Sequence, residues 1–506
     1  MSPTLLLKYI GARARRGIDP LWAALTLIAL VLMLSGCALN TDFKPAEPAA
    51  AAASYKEAAG HWADVAPASV PAGGEWWSVF GDPVLDDLVS RALNANNSIA
   101  GAAARLNEAR AQLHRAEADK LPLIGLNGGA SRSTVQPGLG FPPGAALSNF
   151  NLGAGASWEP DLFGRLSKAS QAADFNAQSK DALLQNTRLA VAAQVAQTYF
   201  ALRELDDERD LVRQTVRAYR DTEKLTERRY RAGDVAELDF ARVRTEVAST
   251  EAQALALDRQ RAALEHALAV LVGESASSFA LAKADWNAPL PVVPPGVPSV
   301  MLTRRPDVAA AQRAMLAAQS RAGIARTAWF PDFAITGNAG YASNNLSDLF
   351  KWTSRAWGVG ALLSLPIFDG GRRQANFDVA NAQWDADAAA YRDAVLSAFR
   401  DVEDQLSSLR LLGEQAEAEN RAVQSAGRAT ALSTTRYRNG YVSQLELLDT
   451  QRSELANRRE SAQVRGARYQ ATVGLIRALG GGWGDAAPPP VEKQAAGDAA
   501  VVLGAR

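Results

Sequence analysis

Tyr230-Arg231-Ala232-Gly233-Asp234-Val235-Ala236-Glu237-Leu238 returns, 207 residues further on, as Tyr437-Arg438-Asn439-Gly440-Tyr441-Val442-Ser443-Gln444-Leu445. Gly273 matches Gly480 at the same offset. Upstream, Leu121-Pro122 and Phe330-Pro331 each open a short alternating segment. The next pair is closed by Pro160-Asp161-Leu162-Phe163-Gly164-Arg165 and Pro366-Ile367-Phe368-Asp369-Gly370-Gly371-Arg372. A period this long marks a duplicated half rather than a solenoid repeat. Each half reads strand, loop, strand, then a very long helical hairpin. Residues 76–289 form the first repeat and 290–483 the second, within one elongated protomer.

The N-terminus reads as a leader over residues 1–36. Lys8, Arg13, Arg15 and Arg16 supply a basic start, and an apolar run from Leu21 to Leu34 follows. Leu34-Ser35-Gly36-Cys37 closes it as a lipobox, with Cys37 as the acylated first residue of the mature chain. The competing reading is a transmembrane helix with a chance cysteine, but the run is short of the ~20 residues a span needs. Cys37 is the chain's one cysteine, which excludes disulfides and cysteine metal sites. Without the leader the chain has 50 basic and 53 acidic residues, so no basic excess points to nucleic acid. Residues 37–75 are rich in Ala and Pro and read as an extended, lipidated tether. Residues 484–506 read as a disordered tail. Ala38, in place of an aspartate after the cysteine, suits sorting to the outer membrane.

Between Pro160 and Pro289 there is no proline, and only Gly164, Gly233 and Gly273 interrupt the run; Pro366 to Pro488 is equally proline-free. Ala, Leu, Arg, Glu and Gln dominate both stretches, which is the composition of strong helix formers. Gly233 and Gly440, next to Asp234 and Asn439, place a hairpin turn in each. The span from Gln171 to Arg231 alone corresponds to roughly 90 Å of helix. Apolar positions are mainly Ala, Leu and Val, and no aromatic cluster in the sequence offers a deep globular core. Small residues at the seams suit a closely packed helical wall. A solvated cytoplasmic coiled coil would show the same periodicity; the strands argue against it.

Four segments alternate with period two, at about 123–133, 151–158, 332–342 and 356–364. Phe333, Ile335, Gly337, Ala339 and Tyr341 oppose Ala334, Thr336, Asn338 and Gly340; Trp357, Val359, Ala361 and Leu363 oppose Gly358, Gly360, Leu362 and Ser364. Their length is that of a tilted membrane strand, although a sheet packed on helices is the alternative. Aromatic residues near the ends (Phe333, Tyr341, Trp357, Trp158) suit interfacial girdles. In lipid an open sheet edge is not tolerated, and four strands are too few to close a barrel. Three copies supply twelve strands, with loops around Pro137–Pro143 and from Ser343 to Ser354 on the outer side.

These features, with the phrases Trp76-Trp77-Ser78-Val79-Phe80-Gly81-Asp82-Pro83-Val84-Leu85 and Arg304-Arg305-Pro306-Asp307-Val308, resemble the outer membrane factor family. These are the TolC-like channels, and the match is to their OprM- and NodT-type lipoprotein branch over roughly residues 75–483. The resemblance implies a mainly α fold with a membrane β-barrel: a homotrimer with a 12-stranded β-barrel above a periplasmic α-barrel. It also implies a passive exit duct, fed by a periplasmic adaptor and an inner-membrane pump of the proton-driven type, for small toxic compounds. The same fold serves type I protein secretion, which stays open as an alternative. A periplasmic adaptor is the reading from another class, but adaptors carry one hairpin flanked by lipoyl-like β-segments.

Catalysis finds no support. His61, His114 and His266 are scattered, and there is no nucleophile elbow, P-loop or metal-spaced cluster. Met301 and Met315 are the mature chain's methionines, too few for a methionine-lined copper path. No cofactor is expected beyond the lipid on Cys37. The resemblance implies that the turns form the periplasmic tip, with acidic residues six and nine positions after each turn glycine lining a constriction. Those positions hold Glu446 and Asp449 after Gly440, and Asp239 and Arg242 after Gly233. Tyr437 is implied in the closing contacts. Its family arginine partner is replaced by Val442, which leaves Arg438 or Arg242 to substitute. Gly233, Asp234, Gly440 and Tyr441 are the implied adaptor-facing turns. A carboxylate ring in a narrow throat would favour cations; solvated helix-face charges are the plainer reading of the same residues.

Overall fold

A computed structural model of the chain describes residues 55–58, 74–134, 146–284, 286, 290–293 and 304–481. Cys37, the stretch around Pro137–Pro143 and the C-terminal tail lie outside the described residues. The elements run α1 (Pro83–Ala95), α2 (Asn97–Ala118), β1 (Leu123–Thr134), β2 (Ala146–Trp158), α3 (Arg165–Ala232) and α4 (Glu237–Leu271), then α5 (Pro306–Thr327), β3 (Asp332–Ser343), β4 (Arg355–Ser364), α6 (Arg372–Arg438) and α7 (Gln444–Ala478). The duplication is visible in the lengths: α2 and α5 have 22 residues each, β1 and β3 have 12, and α4 and α7 have 35. At 68 residues, α3 is about 100 Å long. None of the described helices is long and apolar enough to cross a membrane.

The chain divides into two compact units. The first includes Ala104–Asp181 and Ala310–Asp393 and contains one antiparallel sheet in the order β1-β2-β3-β4. The second strand starts at Ala146, five residues before the expected 151. Residues 146–150 look loop-like in sequence (Ser148, Asn149) but pair with Ala130–Thr134 across the hairpin. Repeated phrases join the strands to the helices. Asp161 accepts from the N–H groups of Leu166 and Ser167 at the start of α3, at 3.0 and 2.7 Å. Asp369 accepts from those of Gly371 and Arg373 at the start of α6, at 3.0 and 3.1 Å. These carboxylates satisfy N–H groups that a helix start leaves open. Phe163 stacks on Phe330 with centroids 5.0 Å apart, packing the exit of β2 in the first repeat against the entry to β3 in the second.

The second unit includes Ala49–Ala103, Ala182–Ala309 and Ala394–Arg506. Contrary to the reading of the sequence, it has an aromatic core. Phe80, Phe200, Trp286 and Tyr469 interlock, with centroids 4.8 Å apart for Phe80–Phe200, 5.0 Å for Phe200–Tyr469 and 4.3 Å for Trp286–Tyr469. They come from four distant stretches, so no local window could show the cluster. The phrase around Trp76–Phe80 is a short 3-10 helix whose Trp76, Trp77 and Phe80 are buried. Asp82, which follows it, caps α1 through Val84 and Leu85 and also accepts from the Tyr199 hydroxyl. The expected tether is anchored where it is described. In residues 55–58, the Glu403 carboxylate accepts from Lys56 and Glu57 N–H at 2.7 and 3.0 Å, and Arg410 pairs with Glu57 at 2.9 Å.

Candidate functional site

The sheet's register separates two chemistries. Residues that face each other across strands share a side, and alternate residues take opposite sides. One row runs Ile124↔Ala156↔Gly337↔Val359, the next Leu126↔Ala154↔Ala339↔Trp357. With Phe150, Leu152, Trp158, Phe333, Ile335, Tyr341, Ala361 and Leu363 they make one side almost wholly apolar. This side is exposed: Leu126 is 87% accessible, Val359 79% and Trp357 80%. In water so large an apolar patch is a liability, whereas in hydrocarbon it is a requirement. β1 and β4 are the edges, each with one bare ladder among the described residues.

The opposite side is Gly-, Asn- and Ser-rich. Asn127 faces Gly153, Asn151 faces Gly129, and Asn338 lies between Gly155 and Gly358. Two of these amides lean onto a facing glycine. A Cβ on Gly129 would sit 2.7 Å from Asn151 Oδ1, and one on Gly358 3.0 Å from Asn338 Oδ1. Glycine at these two positions therefore lets Asn151 and Asn338 lie against the neighbouring strand. The sequence shows the alternation but not this pairing, because register decides which glycine meets which amide.

In the second unit, each hairpin turn closes α3 or α6 by the same bond pair. Gly233 N–H donates to Tyr230 O (3.0 Å) and Asp234 N–H to Arg229 O (2.8 Å); Gly440 donates to Tyr437 O (3.0 Å) and Tyr441 to Arg436 O (2.9 Å). This is the Schellman arrangement, which needs the left-handed φ of 82° at Gly233 and 79° at Gly440. Ser443 then caps α7, accepting from Glu446 N–H at 3.3 Å. Gln444, Leu447 and Leu448 are buried while Glu446 and Asp449 are exposed, so both carboxylates share the outward side of α7. Asp239 and Arg242 pair with each other at 3.7 Å. Tyr441 is 75% exposed.

Tyr437 is buried, and Arg229 of α3 lies over its ring at 5.4 Å. The expected pairing with Arg438 is not formed, because adjacent helical residues point apart. Among the described residues, the Tyr437 hydroxyl has no partner. Sequence reasoning missed Arg229 and the charged seam between α7 and the first hairpin. There Arg452 pairs with Glu246, Arg459 with Glu208 (2.5 Å) and Arg465 with Asp207. Gln444 Nε2 donates to Thr226 at 3.1 Å, and Leu448 packs with Tyr219, Val243 and Val247. The heptad spacing of Arg452 and Arg459 was the available signal. Glu204, on α3 beside the seam, has its pKa pushed up to about 7 by burial and then by Glu208 and Asp207, against the pull of Arg465.

The Arg304-Arg305-Pro306-Asp307 phrase is a clasp. Arg305 Nε and Nη2 donate to the two Asp307 oxygens at 3.1 and 2.7 Å, Nη2 also to Asp401 at 3.1 Å, and Nη1 to Ala478 O at the end of α7 at 3.1 Å. Burial alone would raise the Asp307 pKa; the Arg305 guanidinium outweighs it and holds the carboxyl below its ordinary value. No group of three or more metal-ligating side chains gathers among the described residues.

The profile of the family described as "Outer membrane efflux protein" matches residues 88–274 and 297–481. The pyoverdine export outer membrane protein OpmQ of Pseudomonas aeruginosa is 32% identical over 416 residues, 81% of this chain and 87% of that protein. The cation efflux system protein CusC of Escherichia coli is 31% identical, covering 90% of this chain and 97% of its own length. The solved outer-membrane channel OprN superposes with a TM-score of 0.82 at 29% identity, over 88% of this chain and all of that one.

Proposed function

Because the chain belongs to the outer membrane efflux protein family, we propose that three copies of it form a single passive exit duct. The chain is an outer-membrane efflux component with the TolC-like fold, and the trimer, its partners and its gate are our reading. The observation that carries it is the sheet: four strands, one apolar side with large exposed residues such as Leu126, Trp357 and Val359, and two bare edges. A second copy's β1 on this copy's β4, repeated three times, pairs every edge and closes twelve strands around the Asn/Gly side. The apolar side then meets lipid. Cys37 carries the acyl chains, which supplement an anchor already provided by the barrel.

A periplasmic adaptor and an inner-membrane pump supply cargo and energy, the adaptor meeting the turns at Gly233, Asp234, Gly440 and Tyr441. Glu446 and Asp449, with Asp239 from the first hairpin, line the constriction; Tyr437 and Arg229 hold the two hairpins of one protomer together beside it. The named relatives export pyoverdine in one case and cations in another, so the fold does not choose the cargo. Relatives named for efflux favour this duct over a type I secretion channel. Light scattering of the mature protein in mild detergent tests the assembly. Three protomers per particle are expected, and a monodisperse monomer with full strand content refutes the reading.

A further inference from the structure

The apolar side of the sheet bears two charged side chains among its described residues, Arg132 and Arg355, and no acid. Both are at the end where β1 runs out and β4 begins, next to the loop between β3 and β4. Arg355 faces Tyr341 across the ladder. Its guanidinium carbon is 3.0 Å from the Trp352 ring centroid, and its Nε donates to Trp352 O at 2.8 Å. That stack fixes the guanidinium plane, and the two Nη groups have no partner among the described residues. Phe350 packs edge-on against Tyr341, centroids 5.8 Å apart, which brings it to the same side. Phe350 is 67% exposed and Trp352 71%. The nearby lysine is different: Lys351 is neutralised by Asp348 at 2.6 Å.

A strip of exposed aromatic rings holding one preorganised, unpaired guanidinium fits a particular neighbour. The rings suit the boundary between hydrocarbon and headgroups. The planar fork suits two oxygens of a phosphate, and with no acid on this side a net negative layer meets no repulsion. We propose that this end of the sheet docks the phosphate groups of anionic membrane lipids, for which phosphatidylglycerol serves as the probe, with Arg355 as the phosphate-binding residue and Arg132 as a second, unstacked contact. The proposal rests on the reading of the apolar side as lipid-facing.

The test is lipid retention by the full-length mature protein, measured by native mass spectrometry after exchange into mixed micelles of detergent with phosphatidylglycerol or with phosphatidylcholine. The wild type is expected to retain several-fold more phosphatidylglycerol. Arg355→Ala removes most of that preference, and Arg355→Lys, which keeps the charge but loses the fork, an intermediate share. Particle mass and circular dichroism confirm that each variant is assembled. Equal retention of the two lipids by the wild type overturns the proposal while leaving the lipid-facing reading in place. Retention of neither lipid overturns both. An undiminished preference in the Arg355→Ala, Arg132→Ala double variant overturns the assignment to these residues. Displacement of phosphatidylglycerol by inorganic phosphate alone marks a free-anion site and overturns the choice of a lipid.

Discussion

Replacing Glu204 by glutamine removes a charge that the fold accommodates poorly. The side chain lies against Gly466 of α7, where a Cβ would come within 2.5 Å of its Oε2. Burial, then Glu208 and Asp207, raise its pKa from 4.5 to about 7. Between those two values the folded chain holds a proton that the unfolded chain has released, so stability falls as pH rises through the window. Above pH 7 the full cost applies, ~3 kcal/mol for a shift of this size. Glutamine has nearly the same shape and no charge to desolvate. Glu204→Gln is therefore expected to stabilise the protomer at pH 8 by up to ~3 kcal/mol and to change little at pH 4.5. For a chain of this length that is roughly 3 °C in the thermal midpoint. The assay is the far-ultraviolet dichroism melt of both proteins at the two pH values, at one scan rate because unfolding of such assemblies is often irreversible. An equal gain at both pH values, or a loss at pH 8, refutes the reasoning.

Arg305→Ala strands Asp307, Asp401 and the Ala478 carbonyl. A cost of roughly 3 kcal/mol is expected, at the lower end for a broken buried pair because Asp401 reaches solvent. The depressed pKa of Asp307 stabilises the fold above its unfolded value of 3.8 and is lost as pH falls through its folded value, so the Arg305→Ala deficit should shrink in acid melts. Val359→Arg places a charge on the apolar side and should cost ~2–4 kcal/mol of insertion if it lies near the bilayer midplane; wild-type yields of assembled protein in membranes count against a lipid-facing sheet. Asp449→Ala with Glu446→Ala should weaken cation selectivity in planar-bilayer recordings, and unchanged reversal potentials identify them as solvated charges.

Secondary structure was legible in the sequence wherever it is set by local periodicity. The Gly233 and Gly440 turns, the long helices, and three of the four strand starts to within a residue follow from the repeat and from alternation. Ala146–Phe150 was hidden because its polar Ser148 and Asn149 become strand only through pairing with Ser131 and Arg132. The aromatic core around Phe200 was hidden for a related reason: its members are up to about 390 residues apart. At the turns, the sequence placed Glu446 and Asp449 on one side of a helix, but a helix's own numbering cannot say what faces it. Tyr437 met Arg229 because two hairpins pack side by side, a contact that neither repeat contains alone.

In the twelve-stranded barrel proposed above, the glycine seats beneath Asn151 and Asn338 would bear on how the duct moves its cargo. A side chain standing up from a wall is a handle: it narrows the passage and gives a solute something to grip. An amide laid over a glycine offers its dipole sideways and stays wetted, so a passing molecule exchanges one water contact for another at little gain. In the proposed barrel such a wall would have low friction for solutes of either charge. A conduit clears quickly when nothing along it is worth binding, and a methyl group at Gly358, tilting Asn338 off its seat, would make the wall stickier as well as tighter.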